Sequence, residues 1–122
     1  MIDLITLARR QGFHVEFLPL AEYDGLLLSG GNILVDSGIT ERRQRETIAH
    51  ELGYAYYGHS HGAEHDDEIY ERQANSFAAR LLVDPVEYAI AESLHPHPGA
   101  IAKELGVSQY LVELRQTQLQ SV

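Results

Sequence analysis

The chain has 122 residues, no cysteine and a formal net charge of −9 with the histidines neutral, a length that fits one compact domain. Its acidity would repel a nucleic-acid backbone, and its apolar runs fall far short of the roughly 20 residues that a membrane helix needs. The N-terminus lacks the basic start and long apolar core of a signal peptide, which predicts a cytoplasmic protein with neither nucleic acid nor membrane as its main partner.

The first part of the chain, residues 1–36, predicts one helix and a small sheet. A helix is indicated at residues 3–11, where Asp3 can cap it, by leucines at helical spacing and by a glycine that follows them. Apolar and polar residues alternate at 13–17, as in a strand. Two short apolar runs, 26–28 and 33–35, are separated by a glycine-rich turn and predict a β-hairpin. We therefore expect a three-stranded sheet with one face packed on helices.

The middle of the chain, residues 37–82, predicts two helices that pack together. Ser37 or Thr40 can start the first helix, which we place at about 41–57. Gly53 within it costs about 1 kcal/mol relative to alanine, which indicates that another backbone packs closely there.

The second helix of this pair is predicted at roughly 68–82, after a cap at Asp66 or Asp67. Glu71 and Asn75 lie on a stripe beside its apolar seam, so two polar side chains are expected at the edge of the core. The seam itself comprises Tyr70, Ala74, Phe77 and Leu81.

The last part, residues 83–122, predicts further helices. Asp84 and Pro85 open one of them with a capping box. Its apolar positions are Val86, Ala89 or Ile90, and Leu94. Residues 100–118 resemble the centre of a helix-turn-helix motif. Because this predicted helix pair has few basic residues that could contact DNA, we interpret it as a packing unit. We interpret the basic cluster at 42–45 as a solvated helix face.

The first helix of the central pair carries His50-Glu51-x-x-Tyr54, most of a zinc-hydrolase signature. Residues four apart share a helix face, so the two imidazoles of His-Glu-x-x-His hold one metal while the glutamate activates a bound water. Tyr54 stands here in place of the second histidine. A phenol with a reference pKa of about 10 is a poorer zinc ligand than an imidazole at neutral pH.

This segment and the helix Glu71-Arg72-Gln73-Ala74-Asn75-Ser76-Phe77-Ala78-Ala79-Arg80-Leu81-Leu82 together resemble the ImmA/IrrE family of zinc metallopeptidases. The match spans about 40–85. It implies a single zincin-like α+β domain, mainly helical, with a small three-stranded sheet packed against the motif helices.

Carried over residue by residue, the resemblance implies that His50 and Glu71 bind zinc and that Glu51 is the general base. Tyr54 occupies the remaining ligand position. Asn75 follows Glu71 by four residues, so it could hydrogen-bond a ligand such as His50 and orient it.

Three explanations for Tyr54 remain open. In the first explanation catalysis is lost, because only His50 and Glu71 remain as good ligands, whereas a catalytic zinc normally has three. In the second explanation a chain reversal after Gly58 brings a histidine to the metal as the third ligand. The candidates are His59, His61 and His65. In the third explanation Tyr54 itself binds the metal as a phenolate, because the metal lowers the pKa of its hydroxyl.

The resemblance also implies a function. It predicts a cytoplasmic endopeptidase that cleaves, or promotes cleavage of, a helix-turn-helix repressor of a phage or mobile element. Tyr54 motivates an alternative, a non-catalytic binding module that sequesters the repressor without cutting it.

Overall fold

The computed structural model describes residues 3–59 and 67–120 and has an α+β architecture, as predicted. No helix in these two ranges is long and apolar enough to cross a membrane. The elements in chain order are α1 (Leu4–Arg10), β1 (His14–Leu18), β2 (Gly25–Leu28), β3 (Asn32–Asp36), α2 (Glu41–Tyr56), α3 (Glu68–Leu82), α4 (Pro85–Leu94), α5 (Pro98–Leu105) and α6 (Gln109–Gln120).

The helices begin at side chains that cap them. In α1 to α4 a side-chain oxygen accepts a hydrogen bond from a backbone N–H of the first turn, which would otherwise lack a partner. The predicted caps of α1, α2, α3 and α4 are confirmed at Asp3, Thr40, Asp67 and Asp84. Short polar side chains therefore define where these helices start.

The sheet has the strand order β1-β3-β2, so β3 is the central strand. β2 and β3 form the predicted antiparallel hairpin, while β1 pairs with β3 in parallel. The sheet buries Val15, Leu27, Ile33 and Val35. These residues give it the apolar face on which the helices pack.

α2 lies against both the sheet and α3, and two glycines allow the close approach. A Cβ built on Gly53 would lie 2.9 Å from the Cα of Ala74 on α3, which confirms the predicted backbone contact. At Gly25 on β2, an added Cβ would overlap the methyl group of Thr47 on α2. Any larger residue at either glycine would separate α2 from its neighbour.

The apolar side chains form two clusters. The first lies between α1, the sheet, α2 and α3, and includes Ile33, Ile48 and Leu52. The second joins α4, α5 and α6 around Ile101 and Val112. The helices that carry the motif belong to the first cluster, and the C-terminal helices supply the second.

The apolar stripe predicted for α4 is not buried in the structure. The predicted stripe of α4 is exposed at Val86, Ile90 and Leu94, because α4 packs through its other side, Tyr88 and Ala91. Residues 60–66, which include His61 and His65, lie outside the described residues.

Candidate functional site

The side chains of the predicted signature meet where α2 crosses α3. His50, Glu51 and Tyr54 lie on α2, and Glu71 reaches them from the first turn of α3. The Nε2 of His50 is 2.9 Å from Oε2 of Glu71, and the Tyr54 hydroxyl donates to Oε1 of Glu71 at 2.5 Å. The two oxygens of the Glu71 carboxylate therefore bind the two α2 side chains that lie four residues apart, His50 and Tyr54.

Glu51 is fully buried, with 0% of its surface exposed. Its Oε2 lies 3.4 Å from Nδ1 of His50, so the imidazole stands between two carboxylates. A buried charge needs a partner, because removing an ion from water costs several kcal/mol. Glu51 is accommodated in the core by the imidazole beside it.

These contacts set the protonation of His50. Burial by itself lowers the pKa of His50, but the hydrogen bonds and charges of Glu51 and Glu71 outweigh it and raise the pKa to about 9. In the metal-free protein at neutral pH, the ring is therefore a cation that donates to both carboxylates.

Tyr54 stays a neutral phenol. Burial raises its pKa, and the hydrogen bond to Glu71 and the negative charge of that carboxylate raise it further. The ring is buried, and its edge meets the His50 ring at a centroid distance of 5.2 Å. Tyr54 acts as a hydrogen-bond donor, which is the opposite of what a ligating phenolate requires.

The donor set can be compared with what zinc requires. A catalytic zinc normally takes three protein ligands and keeps a fourth position open. Residues 3–59 and 67–120 contain no group of three or more His, Cys, Asp or Glu side chains that could hold a metal ion. His50 and Glu71 supply two ligands, and the third position holds a phenol that stays protonated. These residues do not fit a three-ligand zinc site.

The proposed rescue by a loop histidine can be examined at His59. Its Nε2 pairs with Oε1 of Gln73 at 3.1 Å, and its ring stacks on Tyr70 at a centroid distance of 3.5 Å. Gln73 is two residues from Glu71, which places it about 200° away around α3. His59 is therefore held on a different face of α3. The other two candidates, His61 and His65, lie outside the described residues.

Asn75 has a different partner from the one predicted. The sequence predicted a hydrogen bond to His50, but the structure places Nδ2 of Asn75 3.4 Å from the hydroxyl of Tyr110, to which it donates. Tyr110 lies in the first turn of α6, a position that nothing in the local sequence connects with the motif. Asn75 joins α3 to α6 beside the site.

An open cleft of about 540 Å³ leads to His50 and Glu51. Its wall includes Gly25, the first residue of β2, and Asn75 on α3. The remaining lining residues are Glu22, Tyr23, Asp24, Arg42, Arg43, Glu46, Thr47 and Ser108. The sequence did not single out this rim, because it is assembled from four separate segments.

The basic cluster of α2 is exposed in part and also makes tertiary contacts. Arg43 Nη2 donates to both carboxylate oxygens of Asp24, at 2.8 and 2.7 Å. Arg45 donates to the carbonyl oxygen of Gly106 at 2.7 Å. The prediction of a solvated helix face is confirmed for Arg42 and Arg43, which are exposed, and is wrong for Arg45, which is partly buried. Arg43 and Arg45 fasten α2 to the start of β2 and to the end of α5.

The sequence matches the model of one known protein family. A search of curated proteins found no match. The model of the peptidase family M78, described as the IrrE N-terminal-like domain, matches residues 8–117, nearly the whole chain. This match covers the sheet, the motif helices and the C-terminal helices together. The chain therefore belongs to the IrrE N-terminal-like family of metallopeptidase-like proteins.

Proposed function

We propose that this protein acts on a transcriptional repressor of a phage or mobile element by binding it, with zinc-dependent hydrolysis disabled at Tyr54. The observation that carries the proposal is the bond network of Glu71, whose two oxygens accept from Tyr54 and His50. Glu71, which was expected to bind the metal, instead accepts hydrogen bonds from these two side chains.

The chemistry of the general base supports the same proposal. Glu51 corresponds to the residue that takes a proton from water in this family. In the structure it lies beside the His50 ring, whose raised pKa makes it a cation at neutral pH. Glu51 is thereby held as a hydrogen-bond acceptor beside this ring.

The cleft retains the features that a binding role needs. It is open to solvent and is lined by Gly25, the first residue of β2, which is an edge strand of the sheet. An edge strand has unpaired N–H and C=O groups, which bind an extended peptide by main-chain pairing. A flexible segment of the repressor is the partner that we propose for this edge.

A second candidate function is a zinc endopeptidase that works with an altered ligand. The position of Glu51 favours it, since the carboxylate is fully buried next to His50, one residue along the same helix. A buried carboxylate with no catalytic role would be easier to replace by an apolar residue. This candidate requires that Tyr54 or a histidine outside the described residues completes the site.

One experiment separates the two functions. The open reading frames beside the gene are searched for a helix-turn-helix repressor, and the purified parent and Glu51→Gln are each mixed with that repressor in the presence of zinc. The binding proposal expects that both proteins bind the repressor equally in a pull-down and leave it intact on a gel. Cleavage by the parent that disappears in Glu51→Gln would establish the endopeptidase instead. Failure of both proteins to bind or cleave would refute a role on that repressor.

A further inference from the structure

A second concave surface lies away from the cleft, between the C-terminal end of α3 and helices α4 and α5. This groove has a volume of about 690 Å³. Its apolar walls comprise Leu81, Leu82, Ile90, Ala91 and Leu105, and its carboxylates are Asp84, Glu87 and Glu104. The described residues that line it are all different from those that line the cleft. The two surfaces can therefore be tested independently.

The outer side of α4 extends the apolar surface of the groove. Val86, Ile90 and Leu94 are 66%, 59% and 62% exposed. They are spaced four residues apart, and at about 100° per residue they fall within an arc of about 80°. Ile90 also lines the groove. A continuous apolar stripe of this kind is unusual on an exposed helix and marks a site of interaction. We call Val86, Ile90, Leu94 and the groove the α4 surface.

The charge of the α4 surface indicates the kind of partner. The described residues that line the groove include three carboxylates and no lysine or arginine. Asp84 lies near Arg115 and caps α4, so its charge is partly compensated. Glu87 and Glu104 are exposed. A partner with basic residues beside an apolar face would match this rim.

A second copy of this chain is a poorer occupant. In a two-fold symmetric dimer the same patch meets itself, so the carboxylates of both copies would be brought together. Like charges placed across an interface are repulsive, and the whole chain carries a net charge of −9. The rim therefore disfavours self-association through the α4 surface.

We propose that the α4 surface docks an amphipathic helix of a partner protein, with apolar residues that cover Ile90 and lysines or arginines that face Glu87 and Glu104. An amphipathic helix binds such a groove through anchors at positions i, i+3 or i+4, and i+7. This surface goes beyond the proposed function, because it does not use the cleft or the edge of β2.

The probe is a fluorescent synthetic peptide of about 18 residues, with leucines on one helical face and lysines on both sides of them. A scrambled peptide of the same composition, which has no apolar face, is the control for plain charge attraction. Binding is measured by fluorescence anisotropy on the full chain at about 50 mM and about 300 mM salt. The amphipathic peptide should bind at both salt concentrations and more tightly than the scrambled one.

Matched variants locate the site. Ile90→Ser should weaken binding about tenfold, as truncation of an interface anchor does, whereas Ile69→Ser should change it less than about twofold. Ile69 is 60% exposed on α3, so it matches Ile90 in exposure but lies outside the groove. Glu104→Gln should weaken binding about threefold at low salt, and Glu113→Gln on α6 should have a smaller effect. Unchanged circular dichroism of each variant shows that it folds.

Three results would overturn the proposal. One is equal affinity for the amphipathic and scrambled peptides, and another is an equal effect of Ile90→Ser and Ile69→Ser. The third is a dimer of the parent in sedimentation analysis that Ile90→Ser dissociates, because the surface would then be covered by a second copy.

Discussion

The cleft and the α4 surface depart from the usual distribution of polarity in opposite directions. At the cleft a carboxylate, Glu51, is fully buried, while on α4 a stripe of large apolar side chains around Ile90 is exposed. Burial of Glu51 is tolerated because His50 is a cation beside it. Exposure of the stripe is tolerated because α4 is held by Tyr88 and Ala91 on its other side.

The difference shows that each region keeps residues that folding alone does not require. Well-packed apolar residues in place of a buried ion pair are often neutral or stabilising, and a polar residue at an exposed helix position has little effect on stability. Both regions are therefore the parts of the molecule to examine for interactions with other molecules. Each region can be altered by substitution without changing the other.

Gly53→Val should produce the largest loss of stability. The new Cβ would lie 2.9 Å from a backbone atom, the Cα of Ala74, so α2 and α3 must move apart. We expect a loss of about 3 kcal/mol in the free energy of unfolding, at the upper end for overpacking, measured by urea denaturation.

Gly38→Val is the control for Gly53→Val. A Cβ at Gly38 would make an ordinary contact, 3.7 Å from Oδ1 of Asp36, so its effect should stay below about 1 kcal/mol. Equal losses at the two glycines would mean that the contact of α2 with α3 does not hold the cleft together.

Tyr54→His should convert the network of Glu71 into a metal site. With His50 and Glu71, the new imidazole completes three ligands of the type that catalytic zinc takes. At a hundredfold excess of zinc over the dissociation constant, binding to the folded state adds about 2.7 kcal/mol of stability. The melting temperature of the variant should therefore rise with zinc more than that of the parent.

Tyr54→Phe is the matched control for the zinc measurement, since its side chain has no atom that binds a metal. Its melting temperature should not respond to zinc. If the parent already binds one zinc per chain and Tyr54→His adds neither affinity nor thermal shift, the account of a disabled site is wrong.

The metal-free protein should lose stability as the pH rises from about 6.5 to about 9. The pKa of His50 is raised from 6.5 to about 9 in the folded state. A raised pKa means that the folded state holds the proton more tightly than the unfolded state does. The resulting stabilisation is complete below about pH 6.5 and disappears as the pH passes about 9.

His50→Asn separates this effect from the other titrations of the protein. The free energy of unfolding is measured for parent and variant across the pH range, with a chelator present. The difference between the two should shrink with rising pH. A difference that is constant from pH 6 to about 10 would show that His50 is not the group responsible.

Ile90→Ala should have the smallest effect on stability, within about 0.5 kcal/mol, because Ile90 is exposed. Ile101→Ala is its counterpart in the second apolar cluster, where the isoleucine has 0% exposure, and it should cost about 3 kcal/mol. A large loss on Ile90→Ala would mean that the stripe on α4 supports the fold rather than an interaction.

The local elements were predicted well from the sequence. The caps at Asp3, Thr40, Asp67 and Asp84, the hairpin of β2 and β3, and the close contact at Gly53 were all confirmed. Each of these depends on interactions between residues near in the chain, or on the size of one residue in a periodic pattern. The family was also recognisable, because its two motifs lie on two consecutive helices.

The positions of the site residues were predicted in part. The sequence placed His50, Glu51 and Glu71 near one another, and the structure brings them together. It did not predict that Tyr54 would donate to Glu71, or that Asn75 would donate to Tyr110 rather than to His50. These partners come from different helices.

The sequence by itself determined the secondary structure, because periodicity, capping and spacing act over a few residues. Its resemblance to a known family supplied the residues expected to meet at the motif. The tertiary structure alone decided how the side chains are paired and which apolar faces are covered. Arg43 and Arg45 found partners 19 and 61 residues away, and Ile90 remained exposed because α4 packs through its opposite side. Hydrogen bonds and burial require groups to meet in space, and that depends on how all the helices pack at once.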